Sequence, residues 1–269
     1  MEMATKAIGA AGGCGVPTIK PWNIDTIREK MTQAKASGCF AVAMDVDAAG
    51  LPFLKNMTPP AGSKSVEELA EIVKLAERPF IVKGVMTVKG ALKAREAGAA
   101  AIVVSNHGGR VLDQCPATAE VLPEIAAALK GTGVKILVDG GIRTGVDVFK
   151  ALALGADGVL ICRPFVTAVY GGGEEGVKCY IDKLAGELAD TMQMCGAHSL
   201  AEITPIWCAY KTEENGKAGA CLRVCPALLI LLKRWMYEIW TLCIAQNALH
   251  YNQLNRNRMP AGGSAACSF

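Results

Sequence analysis

Aromatic residues are scarce, at 6% of the 269-residue sequence, and no basic stripe accompanies them. The stacking platforms and clustered cations of a nucleic-acid binder are therefore missing, and no nucleic-acid partner is expected. The net charge of +3 is spread over interspersed Lys and Arg. An export signal is not evident either: Met1 to Val16 has Lys6 as its one cation and carries Gly9, Gly12, Gly13 and Gly15 in place of an apolar run. The longest apolar stretch, Pro226 to Gln246, is broken by Lys233, Arg234 and Glu238, each costing about 2.5–3.5 kcal/mol at mid-bilayer depth. No membrane span is expected. The eleven cysteines are odd in number and scattered through apolar runs, which excludes a secreted disulfide scaffold and fits a reducing cytoplasm.

What is present is an apolar content of 51%, ample for a core, and a regular alternation from Val16 to about Leu200. Short β-branched runs alternate with helical patterns, as in successive βα units around a parallel sheet. The expected strands are Val16–Lys20, Ala41–Val46, Phe80–Gly84, Ala101–Ser105, Lys135–Val138 and Gly158–Cys162. Each is apolar on both faces, which suits a buried parallel strand. Ser65 and Glu68 form a capping box ahead of one helix, Pro79 follows its end, Thr144 caps another, and Gly155 offers a left-handed end to it. An Ala-x-x-x-Gly step recurs before three strands, at Ala34–Gly38, Ala94–Gly98 and Ala151–Gly155. That recurrence favours a repeating (β/α)8 barrel over a doubly wound sheet.

A closed barrel needs eight βα units, and six are visible. Because Met1 comes almost directly before the first expected strand, the two missing units are expected upstream. Residues 1–203 then make a partial barrel, and 204–269 an atypical tail with no domain assigned. The tail holds Trp207, Trp235 and Trp240 and the cysteines Cys208, Cys221, Cys225 and Cys243, without βα alternation or a second metal-spaced pair.

In a parallel barrel, reactive groups sit where strands exit. The exits here offer Asp45 and Asp47; Lys83; Ser105-Asn106-His107-Gly108-Gly109-Arg110; Asp139-Gly140-Gly141-Ile142-Arg143; and Cys162-Arg163-Pro164. Glycine amides with Arg143 and Arg163 at the last two exits suit a phosphate. His107 followed three residues later by Arg110 suits proton removal from a substrate whose carboxylate the guanidinium holds. Lys83, if it points inward, is a fixed cation for charge that develops on a reduced ring, and Asp45 is the expected acidic partner of His107.

These motifs, with Val82-Lys83-Gly84, Leu112-Asp113, Pro116-Ala117-Thr118 and Asp147-Val148-Phe149-Lys150-Ala151-Leu152, closely resemble the FMN-dependent glycolate oxidase and lactate oxidase/dehydrogenase family from about Val16 to Ile203. The resemblance implies oxidation of an L-2-hydroxy acid, lactate- or glycolate-like, to the 2-oxo acid, with oxygen or another electron acceptor and a possible homo-oligomer. It implies His107 as base, Asp45 as its support, and Arg110 on the substrate carboxylate. Lys83 and Ser105 would lie at the flavin, and Asp139, Gly140, Gly141, Arg143, Cys162 and Arg163 at the ribityl phosphate.

The sequence departs from that family at several points. Cys162 stands where the family usually has Gly. Ala48–Phe53 replaces a segment with a second substrate arginine, and only Trp22 lies near an expected tyrosine. The alternatives left open are another phosphate-binding barrel enzyme, of the IMP dehydrogenase or isopentenyl diphosphate isomerase type, and an inactive barrel remnant.

Overall fold

Six strands pair in sequence order into one wholly parallel sheet. A computed structural model of the chain describes residues 1–51, 54, 56 and 58–208. The strands are β1 (Thr18–Ile19), β2 (Val42–Asp45), β3 (Phe80–Val85), β4 (Ala101–Val104), β5 (Lys135–Asp139) and β6 (Gly158–Leu160). All six expected strands exist, most of them shorter than the apolar runs that announce them. Among the described residues β1 and β6 each have one neighbour, so the sheet is open between them.

Both faces of the sheet are buried, and the two-residue period of a strand sorts its side chains between them. Ala43, Ile81, Val103, Leu137 and Leu160 meet in one cluster on the inner face. Val42, Met44, Val82, Ile102, Val104, Ile136 and Val138 belong to the larger core beneath the helices. Two residues beyond the inner apolar row, the same parity delivers Asp45, Lys83, Ser105, Asp139 and Cys162, and on β1 it delivers Lys20 two residues after Thr18.

The helices begin where short polar side chains stop the chain and satisfy its free amides. Asn23 caps α2 (Ile24–Ala36), Ser65 with Glu68 forms the expected box on α3 (Val66–Ala76), and Thr87 caps α4 (Val88–Glu96). The helix α5 (Thr118–Leu129) carries Pro123 within its second turn. Thr144 with Asp147 caps α6 (Gly145–Ala153). The recurring glycines work as expected: Gly38, Gly98 and Gly155 all have positive φ between helix and strand. At Gly155 an added Cβ would also stand 2.6 Å from Cβ of Ala126, so both conformation and space require glycine there.

Two parts of the chain differ from expectation. The start is not directly followed by a strand: α1 (Glu2–Ala10) intervenes and buries Ala4, Thr5 and Ile8, its pattern having been obscured by the glycines that flank it. After β6, α7 (Arg163–Cys195) runs 33 residues but is broken at Gly173, with φ 55° and ψ −135°. Its second half packs so closely on α6 that a Cβ at Gly145 would stand 2.1 Å from the Leu188 amide. Phe149, Ala153, Leu188, Met192, Ala197 and Ile203 form a core here, and Trp207 and Cys208 pack against it. Packing therefore continues past Ile203. Residues 209–269, with Cys221, Cys225, Trp235, Trp240, Cys243 and the apolar stretch from Pro226 to Gln246, lie outside the described residues. Among the described residues no helix is long and apolar enough to cross a membrane.

Replacing Thr144 by Ala is expected to cost about 1 kcal/mol, or about 2–4 °C in Tm for a chain of this size. Burial pushes the Asp147 carboxyl up, but the Thr144 hydroxyl and the amides of Arg143 and Thr144 outweigh it and hold the group below the usual carboxylate value. A lowered acid binds fewer protons folded than unfolded, so its contribution is present at neutral pH and is lost as pH falls below the usual carboxylate range. The Tm gap between the native chain and Asp147→Asn should shrink on acidification; a gap constant with pH would contradict the assignment.

Candidate active site

The inner row of strand ends opens into a cleft of about 300 Å3, within the range of small-ligand sites. Its floor is the polar layer. Lys83, expected to point either inward or out to solvent, points inward, donating to Ser105 Oγ at 2.6 Å and pairing with Asp139 Oδ2 at 2.9 Å. Lys20, which sequence reasoning did not place in the site, pairs with Asp45 Oδ2 from the neighbouring strand. Thr118 Oγ1 donates to the Asp139 carbonyl at 2.7 Å, so the Pro-Ala-Thr motif braces the β5 exit.

His107 sits above this floor in the left-handed region, with φ 57°, followed by Gly108 and Gly109 also at positive φ. Such a backbone is costly for a non-glycine residue and is held by its surroundings. The His107 amide donates to Ser105 Oγ at 3.2 Å, the Gly109 amide to Asn106, and Arg110 Nε to the His107 carbonyl at 2.9 Å. The imidazole Nδ1 lies 3.2 Å from Asp47 Oδ2. The acid in contact with His107 is thus Asp47 and not Asp45, the expected partner. Asp45 is the last residue of β2 and meets Lys20, whereas the chain turns at once into a 3-10 segment, Val46–Gly50, that swings Asp47 over the strand ends. Asp47 fits because residue 84 is glycine: at φ 100°, a Cβ there would stand 2.5 Å from Asp47 Cγ.

The remaining expected residues divide cleanly. Asp45, Lys83, His107, Arg110 and Asp139 line the cleft, and so do Gly140, Gly141, Arg143, Cys162 and Arg163. Ser105 does not: it is fully buried under Lys83, and its hydroxyl oxygen serves Lys83 and the His107 amide. Cys162 is exposed at the N-cap of α7, with Arg163 as the first helical residue.

Charge is unevenly matched. Lys20, Lys83, Arg110, Arg143 and Arg163 face Asp45, Asp47 and Asp139 around the cleft, an excess of two positive charges when the imidazole is neutral. Among the described residues none of the three guanidiniums is in a salt bridge. The acceptors are also under-used: of four buried side-chain oxygens without a partner among the described residues, three are Oδ1 of Asp45, Asp47 and Asp139. Buried acceptors are normally satisfied, so the arrangement can take a ligand carrying both anionic oxygens and hydroxyl or N–H donors.

The sequence model of a family described as FMN-dependent dehydrogenase matches residues 53–209. The chain belongs to the FMN-dependent dehydrogenase family. Its sequence is 51% identical over 141 residues to a peroxisomal (S)-2-hydroxyacid oxidase of Arabidopsis thaliana, covering 52% of this chain and 38% of that protein. It is 47% identical over 136 residues to an L-lactate oxidase of Lactobacillus jensenii, covering 51% and 33% respectively. The chain thus spans 33–38% of the length of these curated relatives. Among solved structures, a mandelate oxidase variant with (S)-mandelic acid superposes with a TM-score of 0.66 and 34% identity, over 73% of this chain and 63% of that one. A putative lactate oxidase of Pediococcus acidilactici gives 0.67 and 32%, over 76% and 63%. These neighbours make the six-stranded sheet an incomplete barrel of the FMN-dependent dehydrogenase type. The cofactor of the family is FMN, and the donor set fits it: guanidiniums and glycine amides for a phosphate, an orphaned carboxylate oxygen for hydroxyls, and an inward ammonium for a ring.

Gly84→Ala is expected to destabilise the fold by about 1–3 kcal/mol through positive-φ strain and displacement of Asp47. Thermal unfolding measures it; an unchanged Tm would remove Gly84 from its supporting role.

Proposed function

We propose that this chain forms the catalytic half of an FMN-dependent enzyme that oxidises an L-2-hydroxy acid, lactate- or glycolate-like, to the 2-oxo acid. The observation that carries the proposal is the convergence on one cleft of an imidazole and three guanidiniums that have no salt-bridge partner among the described residues. Two such charges match a phosphate monoester dianion, and the third matches a substrate carboxylate.

In this reading Arg143, Arg163, the amides of Gly140 and Gly141 and the start of α7 at Cys162 and Arg163 hold the phosphate. Asp139 Oδ1 accepts from ribityl hydroxyls, since a carboxylate beside the phosphate itself would repel it. Lys83 faces the flavin's pyrimidine edge, and Ser105 acts beneath it by fixing the ammonium. Arg110 holds the substrate carboxylate through its terminal nitrogens, its Nε being engaged by the His107 carbonyl. His107 takes a proton as the alcohol carbon becomes a carbonyl. FMN supplies the acceptor for the two electrons that leave that carbon, and oxygen or another acceptor takes them onward. A homo-oligomer in a reducing compartment such as the cytoplasm completes the reading.

The purified full chain, loaded with FMN, should be bleached anaerobically by L-lactate or glycolate. His107→Ala is expected to keep the flavin and slow bleaching by about 10²–10⁴-fold; unchanged bleaching would overturn its role. Arg143→Ala should instead weaken flavin retention by at least about tenfold, since a charged hydrogen bond contributes about 1.5–3 kcal/mol, and full retention of the yellow colour would overturn the phosphate assignment.

A further inference from the structure

Two carboxylates leave β2 within three residues, and both are within reach of one imidazole. Ligand atoms of Asp45, Asp47 and His107 all lie within 4.8 Å of one another, and the acids are mostly buried, with side chains 4% and 11% exposed. Like charges this close cannot both serve a single imidazole without cost. A third group decides between them. The ammonium of Lys20 stands against Asp45 Oδ2, and the pairing follows from register, since Ile19 pairs with Met44 and the next residues are Lys20 and Asp45. Burial pushes the Asp45 carboxyl above the usual carboxylate range, and Lys20 offsets part of that. The cation that an acidic cluster of this kind calls for is therefore already supplied by the chain.

We propose that Lys20 fixes which carboxylate serves the base: by holding Asp45, it leaves Asp47 to accept the Nδ1 proton of His107 and so keeps Nε2 as the lone pair that takes the substrate proton. This rests on His107 being the base, but it concerns a different observable, the imidazole tautomer. A carboxylate at Nδ1 selects the Nδ1–H form, whereas an imidazole without that partner in water prefers Nε2–H. Lys20 and Asp47 are then positioning residues, acting on the reaction only through His107. The other charges lining the same cleft are Lys83 from β3, Asp139 from β5, Arg110 from the loop of His107 itself, Arg143 after β5 and Arg163 from α7. Lys83 and the guanidiniums can only donate, and Asp139, held by Lys83 at the end of β5, lies outside the group of ligand atoms within 4.8 Å of one another, so Asp45 is the carboxylate among the described residues that can replace Asp47 as an acceptor for Nδ1–H.

The test is nitrogen NMR of the full chain with ¹⁵N-labelled histidine, in the pH range where the imidazole is neutral. The chain has three histidines, so the His107 signals can be assigned by their loss in His107→Ala. The native chain should show the Nδ1–H pattern for His107, Asp45→Asn should keep it, and Asp47→Asn should switch it to Nε2–H. In Lys20→Met with Asp47→Asn, the freed Asp45 should restore the Nδ1–H pattern. Loss of the pattern in Asp45→Asn, or its persistence in Asp47→Asn with Lys20 intact, would overturn the proposal. So would failure of the double variant to restore it. If that double variant does not fold, Lys20→Leu with Asp47→Asn is read in its place, with the same two outcomes. The readout needs no flavin, so a chain that fails to bind FMN would sink the proposed oxidation while leaving this result standing.

Discussion

Every feature of the site depends on the alternation of side chains along strands whose two faces are both buried. Odd positions of β2 to β5 fill the inner cluster with Ala43, Ile81, Val103 and Leu137, and even positions fill the core under the helices, which Val85 joins through the register shift after Lys83. A polar side chain on the inner face has one affordable place, the C-terminal end, where the apolar layer stops. Asp45, Lys83, Ser105 and Asp139 occupy it, each two residues beyond its apolar neighbour. A slip of one residue in any strand would send its charge into the helix-facing core, where an unpaired ion costs several kcal/mol. The register that packs the barrel is thus the register that builds the site.

Within that layer the charges are settled in pairs. Lys20 with Asp45 and Lys83 with Asp139 form two neutral units on the floor, and Asp47 with His107 forms a third contact above it. What is left over is cationic: Arg110, Arg143 and Arg163, all on loops or helix starts beyond the strands, with the amides of Gly140 and Gly141 beside two of them. The division separates the site's tasks. Groups at the strand ends are paired and at least half-buried, and they orient; groups on the exit loops carry the excess charge.

The strands and their order were legible in the sequence because β-branched runs that are apolar on both faces, separated by capped helices and an Ala-x-x-x-Gly hand-over, admit few other folds. Thr144, Ser65 and Gly155 do what their chemistry predicts. The helix α1 was hidden because four glycines in and after a nine-residue segment mask its period. Most of the cleft was legible too, since strand exits are where a barrel keeps its chemistry. Lys20 was not: its meaning depends on a cross-strand neighbour, and a residue 25 positions away in sequence becomes adjacent only through the β1–β2 register. The exchange of Asp47 for Asp45 was equally hidden, because a single turn of 3-10 helix decides which of two nearby acids reaches the imidazole. Ser105 lies in the expected layer but below the cleft, where the long Lys83 side chain covers it.

On the function proposed above, the excess positive charge at the last two strand exits holds a phosphate ester beside His107. Calorimetric titration of the flavin-free full chain with FMN and with riboflavin, which lacks only the phosphate, tests it directly. FMN is expected to bind at least about a hundredfold more tightly, the equivalent of about 2.7 kcal/mol for two charged contacts; equal affinity for the two, or binding of neither, would overturn the phosphate site.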